Sequence, residues 1–327
     1  MKILAGIDIG GTKCAVSIGK ATNQTIEILT KKQFPTPESP HLALEMMLET
    51  LETLLVESNI ASIDSIGISC GSPLDSKRGL ILSPPNLPNW DHIDVITPFQ
   101  KRFKVPVGLQ NDANACALAE WKWGSGKGCH NMVFLTFGTG MGAGLILNGR
   151  LYSGTNDNAG EVGHVRLEDD GPIGYGKAGS FEGFCSGGGI AQLAQVKAKE
   201  HIANGESTLF CPSMDDIHSI TTKKVGEAAQ LGDKLAIEVF QTVAKKLGKG
   251  LAIIVDILNP ERIVIGSIYG RQQSLLEPMT MQVLQQEALP QSLAVCKIVT
   301  AGLGEQVGDF ASLSVALDKL ESEEERS

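Results

Sequence analysis

Asp8-Ile9-Gly10-Gly11-Thr12-Lys13 and Thr136-Phe137-Gly138-Thr139-Gly140-Met141-Gly142 follow nearly one template, and each joins two apolar runs. This is the layout of a β-hairpin whose tight turn offers backbone N–H groups to an anion. Gly10, Gly11, Gly138, Gly140 and Gly142 carry no Cβ, so the backbone there can come close to phosphate oxygens. Thr12 and Thr139 add hydroxyl donors, and Lys13 adds a positive charge. One such turn in each half predicts a nucleotide with several phosphates held between the two. Asp8 is the only acid in the apolar run 3–9. An acid beside a phosphate cradle repels the phosphate unless a cation intervenes, so Asp8 reads as a carboxylate for Mg²⁺, directly or through water. A single turn of this kind more often closes a hairpin than holds phosphate; two copies, one preceded by an acid, favour phosphate.

Asn111-Asp112-Ala113-Asn114 follows an apolar strand at 105–109. Ligand clefts in α/β sheets form at the C-terminal ends of strands, and a carboxylate there can take a proton from an attacking alcohol. The alternative for Asp112 is a helix N-cap and nothing more. In Asn158-Ala159-Gly160-Glu161-Val162-Gly163-His164 an acid and a histidine stand three residues apart among glycines. Such a loop can wrap a small polar ligand, with Glu161 and His164 hydrogen-bonding hydroxyls. The other readings are a satisfied histidine and half of a metal site, although no cysteine or second histidine lies nearby at ligand spacing.

These residues need a scaffold, and the pattern predicts a mixed α/β one. Strands at 3–9, 14–18 and 26–34 read as an antiparallel meander. Apolar positions at helical spacing then give an amphipathic helix over 41–57, and a buried strand follows at 66–69. Residues 83–90, rich in proline and asparagine, read as a loop. The second half repeats the theme: a hairpin at 132–147, helices over 188–200, 224–231 and 233–258, a strand at 263–266, a helix at 275–287, an edge strand at 296–299 and a last helix at 310–320. Gly248 and Gly250 break the rhythm of the longest helix, and the charged tail 321–327 is expected to fray. The expected domains are 1–118, with the C-terminal helix 306–327 packing back on it, and 119–305.

The chain has 327 residues, 42% hydrophobic and 20% charged, which suits two globular domains. A net charge of -9 and the lack of a basic cluster argue against a nucleic-acid surface. No apolar run is long enough to span a membrane, and Asp8 interrupts the only N-terminal candidate for a signal peptide. The seven cysteines form no CxxC and read as reduced thiols of a cytoplasmic protein.

Together with Leu258-Asn259-Pro260-Glu261-Arg262-Ile263-Val264-Ile265-Gly266, these motifs resemble the ROK family of bacterial sugar kinases and sugar-responsive repressors, in order, from Met1 to about Leu320. The resemblance implies the actin-like ATPase (ribonuclease H-like) fold, two α/β domains around a central cleft that close over ATP and a sugar. It makes Asp112 the general base for a sugar hydroxyl attacking the γ-phosphate. It places Gly71, Asn86, Asn111, Glu161, His164 and Glu182 at sugar hydroxyls, and Gly266 at adenine or ribose. Where the family often has a second glycine, this chain has Ser267.

Many members also carry three cysteines that bind a structural zinc with the histidine of Glu-x-Gly-His. Ile173, Tyr175 and Ser180 stand there in this chain. The expectation is therefore no zinc, with Tyr175 and Phe181 packing the loop and His164 free for sugar. The repressor branch places a helix-turn-helix ahead of the core; with the first turn starting at Asp8 and an acidic balance, a kinase is expected. The competing class is a non-catalytic sensor, which should have lost Asp112 or one of the turns. Glucose, phosphorylated at the 6-hydroxyl, is the expected substrate, ahead of fructose, allose or an N-acetylhexosamine, and the resemblance implies a homodimer.

Overall fold

The computed structural model describes residues 1–22 and 24–325. β1 (Lys2–Ile9), β2 (Lys13–Ala21) and β3 (Ile26–Pro35) form an antiparallel meander. Alternation along β1 sends Ala5, Ile7 and Ile9 into a core shared with Ala43 and Met47 of α1 (Pro40–Glu57), while Leu4 joins a second core on the other face. β4 (Ser65–Cys70) pairs in parallel with β1.

The stretch that reads as a loop holds more structure than its composition suggests. β5 (Leu74–Asp75), β6 (Leu80–Leu82) and β7 (Asp91–Asp94) make a small antiparallel sheet, followed by α2 (Thr97–Phe103). Strands of two to four residues are too short for alternation to show. β8 (Val107–Asn111) returns parallel to β4 and leads into α3 (Asp112–Trp123).

β9 (Met132–Phe137) and β10 (Met141–Leu147) flank the second glycine turn, and β11 (Arg150–Leu151) pairs back on β10. A hairpin of β12 (Ile173–Gly174) and β13 (Lys177–Ala178) precedes four helices: α4 (Phe181–Phe184), α5 (Gly187–Ala203), α6 (Thr222–Gln230) and α7 (Lys234–Leu258). β14 (Arg262–Ile265), α8 (Ile268–Arg271), α9 (Gln273–Glu287), α10 (Pro290–Leu293), β15 (Lys297–Thr300) and α11 (Val307–Glu324) complete the order. β14 pairs in parallel with both β9 and β15.

α7 runs through Gly248 and Gly250 as one helix, and the two glycines let neighbours in, Val283 of α9 at the first and the ring of Phe181 at the second. One expectation needs correction. The charged tail does not fray from residue 321, because α11 runs on to Glu324 and is pinned by Lys122–Glu321 at 2.6 Å and Lys2–Glu324 at 2.5 Å. Residues 326 and 327 lie outside the described part.

The chain falls into two compact units, one of residues 1–130, 144–159 and 302 onward, the other of 131–143 and 160–301. Compared with a division into 1–118 with 306–327 and 119–305, residues 119–130, 144–159 and 302–305 go to the first unit. A cut at 118 would run through α3 and part its Ala113 and Ala117 from Gly144, which lies against them, and Trp121 Nε1 donates to the Cys129 carbonyl at 2.8 Å to hold 124–130 to the end of that helix. In the first unit α11 packs on β1, β4, β8 and α3. Among the described residues no helix is long and apolar enough to cross a membrane.

Candidate active site

In the first unit three parallel strands end level with one another. Ile9 pairs with Cys70, and Cys70 with Asn111, so the Gly10–Lys13 turn, Gly71 and Asp112 all follow the same edge of the sheet. The Gly10 N–H donates to the Lys13 carbonyl at 3.1 Å and closes the turn. Gly11 and Thr12 are exposed, and among the described residues their N–H groups meet no protein acceptor.

Asn86 is wedged between two glycines. A Cβ on Gly11 would collide with the Asn86 carbonyl oxygen, and one on Gly71 would lie 2.9 Å from Asn86 Oδ1. The glycine at position 11 thus serves the approach of the Asn86 loop as well as the turn. Asp157, buried, accepts from the Ser76 N–H and hydroxyl, both at 2.8 Å, and fixes the segment after Gly71.

Asn111, not Asp112, is the N-cap of α3: its Oδ1 accepts from the Asn114 N–H at 2.8 Å. Asp112 occupies the first helical position and has no capping duty. A helix N-terminus favours an ionised carboxylate. Desolvation by the surrounding protein outweighs that, and the charge of Asp8 adds to it, so the Asp112 carboxyl is pushed up to about 7 although its side chain remains accessible. Asp8 itself is raised by burial, against a hydrogen bond from Ser69 Oγ at 3.3 Å.

The second unit brings together Glu161, His164, Glu182 and the Gly138–Gly142 turn. Burial and the charge of Glu182 raise the Glu161 carboxyl, while His164 lowers it, which puts the three side chains in one neighbourhood. His164 ends a short 3₁₀ turn, its ring edge-on to Tyr175 at 6.3 Å between centroids. The glycine turn is held from within. The Gly138 N–H donates to the Gly140 carbonyl at 3.2 Å, and the Gly142 N–H to Thr136 Oγ1 at 2.9 Å, so Gly142 is not available as an outward donor.

Beside this turn lies a cavity of about 910 Å³, reached by Gly138, Thr139, Lys223, Glu227, Ser267 and Gln272 among others. Gly266 is not among the lining residues; the next residue is. Ser267 has φ 56, a region that favours glycine, and its Oγ accepts from Arg271 Nη2 at 2.8 Å. Sequence reasoning missed the walls from α6 and α8. A signal was present in Ser186-Gly187-Gly188-Gly189, a capped helix start whose Gly187 N–H donates to the Gly138 carbonyl at 2.7 Å.

The loop at 173–181 is also built differently from the expectation. Phe181 is buried, but Tyr175 is 74% exposed, and its one ring contact among the described residues is with the His164 edge. Hydrogen bonds hold the hairpin instead. Gln192 grips Ile173 at both its N–H and its carbonyl, each at 3.0 Å, and Lys177 Nζ donates to the His164 carbonyl at 2.8 Å. Among the described residues no group of three His, Cys, Asp or Glu side chains could hold a metal ion.

The level strand ends in one unit, and the glycine turn with its cavity in the other, define an α/β protein of the actin-like ATPase class. A ROK family glucokinase from Streptomyces griseus, solved in complex with glucose and AMPPNP, matches with a TM-score of 0.74 and 26% identity over 96% of this chain and 99% of that one. A family model described as "ROK family" matches residues 4–318, and the chain belongs to that family. Among its relatives are a glucokinase of Halalkalibacterium halodurans, 33% identical over 93% of this chain and 91% of the relative, and the DNA-binding transcriptional dual regulator NagC of Escherichia coli, 27% identical over 89% and 71%.

Proposed function

We propose that this chain is an ATP-dependent sugar kinase that phosphorylates a hexose, glucose first among candidates, at its 6-hydroxyl. The observation that carries the reading is Asp112, relieved of capping by Asn111 and pushed up to about 7. A carboxylate poised there takes a proton near neutral pH.

Gly71, Asn86, Asn111, Glu161, His164 and Glu182 hold the sugar hydroxyls. The adenosine part of ATP occupies the cavity beside Ser267 and Gln272, and the phosphates meet Thr139, Gly140 and the Gly10–Lys13 turn. Asp8 fits a divalent cation: it is half-buried, and among the described residues a single neutral hydroxyl donates to it. When bound, Mg²⁺ would neutralise charge on the phosphate oxygens. Asp112 takes the proton of the sugar hydroxyl, whose oxygen forms the new bond to the γ-phosphorus. The bond to the β–γ bridging oxygen breaks, and ADP leaves with that electron pair. The protein is read as cytoplasmic and homodimeric.

ADP release with Mg²⁺ across a panel of glucose, fructose, allose, mannose and N-acetylhexosamines tests this. Turnover with glucose that vanishes in Asp112→Ala is expected. Sugar binding without turnover on any sugar would overturn it in favour of a sensor, the reading that the likeness to NagC keeps in view.

A further inference from the structure

Glu182 has a second contact that sugar recognition does not explain. Its Oε2 accepts the Met141 N–H at 3.0 Å, where the glycine turn passes into β10. A Cβ on Gly140 would lie 2.9 Å from the same oxygen. Closer to the backbone, the side chain passes two more glycines: a Cβ on Gly163 would sit 3.2 Å from Glu182 Cβ, and one on Gly174 at 2.8 Å. Three separate segments therefore present hydrogen in place of a side chain to one glutamate.

The root of that side chain is fixed as firmly as its tip. Ser180 caps α4 by accepting from the Gly183 N–H at 3.1 Å and donates to the Gly174 carbonyl at 3.4 Å. Phe181, next in sequence, is buried against Gly250 of α7. Among the described residues Oε1 has no protein donor. One oxygen is committed to the turn and the other is available.

We propose that Glu182 is a positioning residue for the Gly138–Gly142 turn, holding Met141 with one oxygen while the other takes a sugar hydroxyl, so that sugar binding raises nucleotide affinity. This rests on the reading above that the turn meets the nucleotide and Glu182 the sugar. A carboxylate rotates readily about its last torsion, and a hydroxyl donated to Oε1 fixes the rotation that keeps Oε2 on Met141. The effect is reciprocal: nucleotide raises sugar affinity by the same factor.

Calorimetric titration of Mg·AMPPNP, with and without glucose, into wild type, Glu182→Gln, Glu182→Asp and Glu182→Ala tests the proposal. Without sugar, the Ala and Asp variants should bind AMPPNP about tenfold more weakly, the usual scale for losing a charge-assisted hydrogen bond. The Gln variant should stay within about threefold of wild type, because its amide oxygen can still accept from Met141. Glucose should tighten AMPPNP binding in wild type and not in Glu182→Ala. Should Glu182→Ala fold poorly, Glu182→Asp keeps the charge and withdraws the carboxyl by one methylene. Wild-type AMPPNP affinity in the Asp and Ala variants, with glucose binding lost, would overturn the proposal and leave Glu182 a sugar ligand alone. If wild type bound no hexose and the Asp and Ala variants still lost AMPPNP affinity, the hold on the turn would stand and the sugar-kinase reading would fall.

Discussion

The two units prepare their chemistry by different means. In the first, burial opposes ionisation of Asp8, desolvation by the surrounding protein and the charge of Asp8 oppose that of Asp112, and the Gly10–Lys13 turn beside them leaves its Gly11 and Thr12 N–H groups open. In the second, the corresponding turn is braced by Thr136, Gly187 and Glu182 before any ligand arrives. One sequence template thus serves an electrostatic device in one place and a geometric one in the other. The lesson is that a glycine-rich turn has its function set by what packs on it.

The comparison breaks first at Asp112. Asp112→Ala should lower kcat by about two to four orders of magnitude while sugar affinity changes modestly, as for loss of a positioned base; steady-state kinetics with glucose decides it. In the second unit the sensitive quantity is shape. Gly140→Ala puts a methyl 2.9 Å from Glu182 Oε2 and should raise the KM for ATP about tenfold, the scale of a modest overpacking cost.

The pH profile sharpens the electrostatic half. A base must be deprotonated to act, so kcat/KM should rise with pH along a limb centred near 7. Because the charge of Asp8 raises Asp112, the residual activity of Asp8→Asn should show that limb at lower pH. Gln192→Ala removes both bonds to Ile173, which are exposed, and should cost about 1 kcal/mol of stability and raise the sugar KM slightly.

The smallest effect is expected at Asp318 in the first unit, raised to about 6 by burial, with Glu321 and Glu325 adding to the rise and Lys122 opposing it. The folded state binds this proton more tightly than the unfolded chain, so the group's contribution to stability falls as pH rises from about 4 to 6. Asp318→Asn should therefore raise Tm at pH 8 and lose that advantage near pH 4 in thermal melts.

Much of this is legible in the sequence. The meander, α1 and the strands around both glycine turns follow from alternation and helical spacing, because those elements are long enough for period to show. The small sheet at 74–94 is not, since its strands pair over two to four residues. Asp112 could be found from its place after a strand, but which of Asn111 and Asp112 caps the helix depends on φ and ψ that composition leaves open. The cavity walls at Thr222, which starts α6, and at Ser267 and Gln272, which flank α8, lie far apart in sequence and meet only through tertiary packing. Tyr175 departs from expectation for a related reason: apolar character predicts burial, yet a two-residue turn with φ 42 at Tyr175 points that side chain outward.

The position of α11 has a consequence for how the protein is made. Leu313, Ala316 and Leu317 pack with Leu4 and Ala21, Ser314 Oγ donates to the Ala115 carbonyl at 3.1 Å, and Gly67 has no side chain where the α11 backbone crosses β4. One face of the first sheet therefore waits, during synthesis, for residues translated some three hundred codons after its first strand. The second unit, apart from residues 131–143, is one unbroken stretch and can mature while the first is still half-covered. On the ribosome, the first sheet is covered only after the second unit has been made.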